Sequence, residues 1–268
     1  MYEAFYGLSE RPFSKTPDPR YLFLSRMHRE ALARLVYAVE ERDLVLLTGM
    51  VGCGKTTLSR ALMDELGEEY RVLLIVNPRL TPADFLRSLA FRLGIAEPAR
   101  TRIDLLEQVG GELLRLYQDG VCPVLIIDEA QLIPHRETFD EVRLLTNFQL
   151  DDCNLLSVVL MGQPELRKRL GHRIYEPLRQ RIGMQYDLGP LSVEETREYL
   201  DFRIETAGGR RGTFLPEAVA RIFEYSGGIP RKINHAATLA LLEGFGRESL
   251  RIGAAEVDAV MAELKLSS

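Results

Sequence analysis

A chain of 268 residues, 46% hydrophobic and 27% charged, can bury an ordinary globular core and still build a second small domain. Its formal net charge of -5 argues against a broadly basic nucleic-acid binder, so any DNA contact has to be local. Cys53, Cys122 and Cys153 are odd in number and widely spaced with no CxxC, which argues against a disulfide framework or a zinc site and fits a reducing, cytoplasmic setting.

The opening MYEAFYGL has neither the basic nor the apolar region of a signal peptide. Residues 1 to 24 concentrate Phe5, Tyr6, Pro12, Phe13, Pro17, Pro19, Tyr21 and Phe23, which predicts an ordered, packed loop. From Met27 to Glu41, Leu32, Leu35, Val36 and Val39 recur at helical spacing, and a short apolar strand follows from Leu44 to Leu47. After a glycine-rich turn come a helix from Lys55 to Leu66 and a strand from Arg71 to Val76; Thr81 before Pro82 then reads as an N-cap with proline at the first helical position. Helices are expected at 82–93, 103–117 and 137–149, and strands at Val124–Ile127, Leu155–Met161 and Gln185–Leu188. The longest apolar runs are strand-sized, so no membrane span is expected. Alternating strands and helices predict an α/β fold, a five-stranded parallel sheet covered on both faces.

The pattern changes at Gly189-Pro190 and becomes helical. Ser192 and Glu195 form a capping box for a helix to about Thr206, Gly208 and Gly209 break it, and Pro216 starts the next. Gly227-Gly228-Ile229-Pro230 separates that helix from one at 231–243, and a last helix is expected at 254–264. The expected domains are therefore 1–190, α/β with the aromatic N-terminal segment, and 191–268, small and all-helical.

Gly49-Met50-Val51-Gly52-Cys53-Gly54-Lys55-Thr56 fits GxxxxGK[ST] between a predicted strand and a predicted helix, the setting of a phosphate-binding P-loop. Glycines let the backbone curl so that its N–H groups and the helix N-terminus surround phosphate oxygens. Lys55 offers a point charge to the β- and γ-phosphates of ATP, and Thr56 a hydroxyl to Mg²⁺, with Thr57 counted in the same binding segment. Asp128 and Glu129 end an apolar strand at the carboxyl edge of a parallel sheet, where ligands of such sheets bind. In that position Asp128 would hold Mg²⁺ and Glu129 would act on the attacking water, which favours hydrolysis over phosphoryl transfer to a metabolite.

Gln163 follows the fourth strand and can reach the γ-phosphate or the water; the alternative is a glutamine that caps the next helix. Arg179 and Arg181 lie between a helix and the fifth strand, and one of them, with Arg181 preferred, could serve as an arginine finger entering a neighbouring subunit's site. Arg231 begins a helix, where positive charge is unfavourable unless an anionic ligand repairs the misfit; the alternative is an arginine paired with an acid.

With these residues placed, the whole chain resembles AAA+ ATPases of the ExeA or GspA type, associated with general secretion, and more distantly TnsC- and MuB-like regulators of transposition. The resemblance rests on Phe5-Tyr6-Gly7-Leu8, Arg11-Pro12-Phe13, Pro17-Asp18-Pro19, His28-Arg29-Glu30-Ala31-Leu32, the P-loop, Ile126-Ile127-Asp128-Glu129-Ala130-Gln131, Gly162-Gln163-Pro164-Glu165-Leu166 and Gly228-Ile229-Pro230-Arg231. It implies a P-loop NTPase whose helical domain is an AAA+ lid, with Gln163 as sensor 1, Arg231 as sensor 2, and the aromatic N-terminal segment near the adenine. It further implies a homo-oligomer, ring or filament, that engages a partner protein of a secretion or transposition complex. Secretion-type members commonly continue into a membrane span and a peptidoglycan-binding domain, whereas this sequence ends at Ser268, which leaves an excised ATPase domain and a short standalone member both open. Arg167-Lys168-Arg169-Leu170-Gly171-His172-Arg173 could touch the backbone of duplex DNA; the alternative is a solvated helix face or a subunit contact.

Overall fold

The structure, a computed structural model, describes residues 1–14, 18–151 and 153–266; Pro17, one of the residues carrying the resemblance, lies outside them. Its elements run α1 (Tyr2–Phe5), α2 (Arg26–Glu40), β1 (Leu44–Gly49), α3 (Lys55–Glu65), β2 (Tyr70–Val76), α4 (Pro82–Leu93), α5 (Arg102–Gln118), β3 (Cys122–Asp128), α6 (Arg136–Leu145), β4 (Ser157–Gly162), α7 (Pro164–Leu170), α8 (Glu176–Arg179), β5 (Ile182–Leu188), α9 (Val193–Thr206), α10 (Pro216–Ser226), α11 (Pro230–Gly246) and α12 (Ala254–Leu266). By its contacts the chain divides into two units: one holds residues 27–51 and 55–188, the other residues 1–26, 52–54 and the chain from Gly189 on.

The first unit is an α/β layer structure around a five-stranded parallel sheet in the order β2-β3-β4-β1-β5. The inner strands β1, β3 and β4 are buried at every residue, as unbroken apolar runs should be when both faces are covered. The outer strand β5 alternates between partly buried and exposed residues. It begins at Ile182, three residues before the expected start, because residues 182–184 extend the pairing with β1 although Gly183 interrupts their apolar run. Register sets the strand tips side by side: Ile127 is level with Leu160, Thr48 with Gly162, and Val76 with Asp128. Helix α4 occupies the expected residues because Thr81 accepts a bond from the Asp84 N–H and Gly94 closes the last turn in the left-handed region.

Helix α6 stops four residues before the expected 149. Thr146 Oγ1 bonds back to the Arg143 carbonyl at 2.7 Å, and the chain then turns through a Gln149–Asn154 antiparallel bridge. The core joins Phe85, Leu86 and Leu89 of α4, Val109 and Leu113 of α5, Phe139 and Val142 of α6, and the inner strands.

The second unit packs α9–α12 with the N-terminal segment. Ser192 and Glu195 complete the expected capping box, and each bonds the other's backbone N–H at 3.1 Å. Residues 1–26, expected within the α/β domain, group here instead. Tyr2, Tyr6, Leu8, Phe13 and Tyr21 are buried in one cluster with Tyr199, Leu200, Ile204, Phe214 and Leu241. The described aromatic residues of the segment are thus packed as expected, the first of them on the helix α1. Tyr6 gives its hydroxyl to the Ser249 carbonyl at 3.0 Å, and burial pushes its pKa up to about 12. Arg203 lies over the rings of Tyr21, Tyr199 and Phe13 and donates to the Pro12 carbonyl at 2.6 Å.

Candidate nucleotide-binding site

β1 ends at Gly49, and five residues carry the chain to Lys55, the first residue of α3. Gly52 and Gly54 stand at φ +85° and +99°, a region that side chains other than glycine rarely enter. Such a turn aims successive N–H groups into a concavity that suits an anion. Lys55 is buried, and its ammonium donates to the carbonyls of Gly49 and Met50 at 2.7 and 3.1 Å, so the charge is held over its own loop. Met50 and Val51 are exposed, Cys53 is buried, and Thr56 and Thr57 are exposed on the first turn of α3.

Thr56 Oγ1 donates to Asp128 Oδ2 at 3.1 Å, and Asp128 Oδ1 accepts the Glu129 N–H at 2.8 Å. Asp128 is buried as the last residue of β3. A hydroxyl and a carboxylate so close together suit a hard divalent cation. No group of three or more His, Cys, Asp or Glu side chains among the described residues could hold a metal, so further ligands would come from phosphate and water.

Glu129 occupies the left-handed region at φ 55° and ψ 37°, which costs a non-glycine residue on the order of 1–3 kcal/mol. Its carboxylate lies beside the tip of β4, where the Gln163 Nε2 donates to Glu129 Oε2 at 3.2 Å. Gln163 holds the N-cap position of α7, yet its side chain makes no cap bond; the capping alternative is not realised.

Sequence reasoning missed one participant. Gln131 also donates through Nε2 to Glu129 Oε2, while its Oε1 accepts the Gln163 N–H at 3.1 Å. Its place at the end of the Asp128-Glu129-Ala130-Gln131 stretch, two residues after Glu129, was the available signal. The 3-10 turn Ala130–Leu132 is what brings its side chain back to the site.

Strand register and P-loop therefore bring Lys55, Thr56, Asp128, Glu129 and Gln163 to the carboxyl edge of the sheet. Arg179 and Arg181 are not brought there. Arg179 pairs with Glu176 and donates to the Gly171 carbonyl, whereas Arg181 donates to Asn147 Oδ1 at 2.8 Å. Arg181 directly precedes β5, whose first residue is level with Leu44 at the opposite end of β1 from Gly49. A strand length, roughly 20 Å, separates the two ends.

In the second unit, Arg231 is the second residue of α11 and abuts the middle of the P-loop. Its N–H donates to the Gly52 carbonyl at 3.4 Å, and a Cβ on Gly52 would lie 2.7 Å from its own. Arg231 makes no ion pair among the described residues, so the acid-paired alternative is not realised. Within the basic stretch, Arg169 turns inward over the rings of Phe139 and Tyr175 and bonds the Tyr175 hydroxyl at 3.0 Å, while Arg167, Lys168, His172 and Arg173 are exposed.

A family model described as an AAA domain matches residues 39–170. The chain is 42% identical over 256 residues to general secretion pathway protein A of Aeromonas hydrophila; the match takes in 94% of this chain and 46% of that protein, so the chain spans less than half of its relative. Among solved structures, the Aeropyrum pernix ORC2 protein in its ADPNP–ADP complexes superposes with a TM-score of 0.66 at 19% identity, over 95% of this chain and 72% of that one. Drosophila ORC bound to DNA gives 0.70 at 16% identity, over 98% and 65%. The Thermotoga maritima RuvB Holliday junction branch migration motor gives 0.63 at 19% identity, over 91% and 73%. These structural likenesses establish the fold alone. No helix among the described residues is long and apolar enough to cross a membrane. Sequence likeness along nearly the whole chain, a P-loop that opens α3 and a parallel sheet of shared fold lead to one family: the chain belongs to the AAA+ P-loop ATPases.

Proposed function

We propose that this chain hydrolyses ATP to ADP and phosphate in the cytoplasm, and that as a homo-oligomer, ring or filament, it couples hydrolysis to assembly or remodelling of a secretion-type complex. The observation that carries the reading is the convergence of the Thr56–Asp128 pair and the Glu129 carboxylate on the edge of the sheet where the P-loop begins. The P-loop N–H groups and Lys55 hold the β- and γ-phosphates. Thr56 and Asp128 fit Mg²⁺, which when bound supplies charge neutralisation to the phosphates.

Glu129 accepts a hydrogen bond from the attacking water and turns it toward the γ-phosphorus, and Gln163 stands beside it to contact the water or the γ-phosphate. Arg231, against Gly52, provides a further positive charge for the phosphates, and residues 191–268 act as the lid that carries it. Arg181, or else Arg179, completes the site of a neighbouring subunit. Its place at the amino end of β5 supports action in trans, because one chain's own site lies at the other end of the strand. The relative named for general secretion supports a partner protein in such a complex.

A second reading, a TnsC- or MuB-like scaffold on duplex DNA, is favoured by Arg167, Lys168, His172 and Arg173, exposed together on α7 and the turn after it. Phosphate release, measured against protein concentration with and without duplex DNA, tests both. The rate per subunit is expected to climb about tenfold as the oligomer forms and to ignore DNA. Stimulation by duplex that fades as salt rises gives the second reading; no release at any concentration overturns the ATPase.

A further inference from the structure

We propose that Gln131 is a positioning residue for Glu129: its side-chain amide bridges the tips of β3 and β4 and fixes which carboxylate oxygen faces the water. The inference rests on the reading of Glu129 as the group that acts on water. Both ends of the amide are used. Oε1 accepts the backbone N–H of Gln163 at 3.1 Å, and a peptide N–H can only donate, so Nε2 is left pointing at Glu129 Oε2.

Gln163 Nε2 donates to the same oxygen at 3.2 Å. Two donors therefore converge on Oε2, and among the described residues none is recorded on Oε1. A carboxylate that takes a proton or orients a water needs one oxygen aimed outward with lone pairs available, and this clasp assigns that task to Oε1.

Two further observations support the arrangement. Glu129 sits in the left-handed region, a conformation that persists only where its surroundings over-determine it, and the clasp is such a constraint. The glycine at 162 leaves the space that Gln131 fills, since a Cβ there would lie 2.7 Å from Gln131 Oε1. Acting through Glu129, Gln131 should affect the chemical step and not nucleotide binding, because its side chain bonds Glu129 and Gln163 and not the P-loop.

Gln131→Leu keeps the bulk of the side chain and removes both bonds. It is expected to lower kcat about 10- to 100-fold, the effect of a reacting group displaced by about an ångström. Affinity for a fluorescent non-hydrolysable ATP analogue should stay within about twofold of wild type. In a Glu129→Gln background the same change is expected to add nothing to the residual rate. An unchanged kcat in Gln131→Leu, while Glu129→Gln is inactive, overturns the inference. So does a loss that weakens analogue binding in step with kcat, or one that adds in full to Glu129→Gln, since either marks a general structural role. Gln131→Met provides the same comparison should the leucine variant fail to fold. Normal turnover by Glu129→Gln would be a different failure, removing Glu129 itself from the chemistry.

Discussion

Lys55 and Glu129 meet the same difficulty in different ways, since each is a charged group that must be ready for a ligand without being left unpaired. Lys55 is buried, and carbonyls of its own loop accept from its ammonium. Burying an unpaired ammonium would be prohibitive. Glu129 is held by amide donors, with Gln131 resting in the space that Gly162 leaves. A methyl group at 162 would approach both Gln131 Oε1 and Leu166 Cδ2 at 2.7 Å, and Leu166 is fully buried. Gly162→Ala is therefore expected to cost about 1–3 kcal/mol of stability and to depress phosphate release more than nucleotide binding. Chemical denaturation run beside an ATPase assay checks both effects.

At the scale of elements, boundaries follow local chemistry where the sequence has a strong local signal. Thr81 with Pro82 and Ser192 with Glu195 fix the starts of α4 and α9, and the unbroken apolar runs mark β1, β3 and β4. Weaker signals blur the rest. β5 is an edge strand whose opening residues are interrupted by Gly183, so only its last residues look like a strand. The segment between β4 and β5 breaks into α7, a 3-10 turn and α8, too short for helical periodicity to register. The P-loop and the Asp128-Glu129 pair were legible because their residue types sit next to each other in sequence. Gln131 was not, because its contact depends on the left-handed backbone of Glu129.

The start of α12 shows an element tied down by one carboxylate. Glu256 is buried, which raises its pKa, but bonds from the Gly253 N–H and Ser249 hydroxyl outweigh burial and the net shift is downward from 4.5. A folded-state pKa below the unfolded value gives stability that is present above about 4.5 and is lost as pH falls through the folded value. Glu256→Gln should thus melt below wild type at neutral pH, and the gap should close as pH drops under about 4. Thermal melts across that range measure it; a gap independent of pH would count against the carboxylate's role.

For the whole molecule, two units contribute separate parts of the proposed chemistry. The α/β unit holds the Thr56–Asp128 pair and the Glu129 carboxylate, and within the other unit Arg231 lies against Gly52. The aromatic content of residues 1–24 announced packing, yet nothing in that segment revealed that its partner would be the helical unit, because aromatic composition does not encode which core a ring enters.

Hydrolysis by Glu129 is the central claim, and one paired measurement tests it directly: ATP binding and steady-state phosphate release by Glu129→Gln beside wild type. The account predicts that the variant, which keeps the shape of the side chain and loses the carboxylate, binds ATP within about twofold of wild type and releases phosphate at least about 100-fold more slowly. Release at the wild-type rate would contradict it.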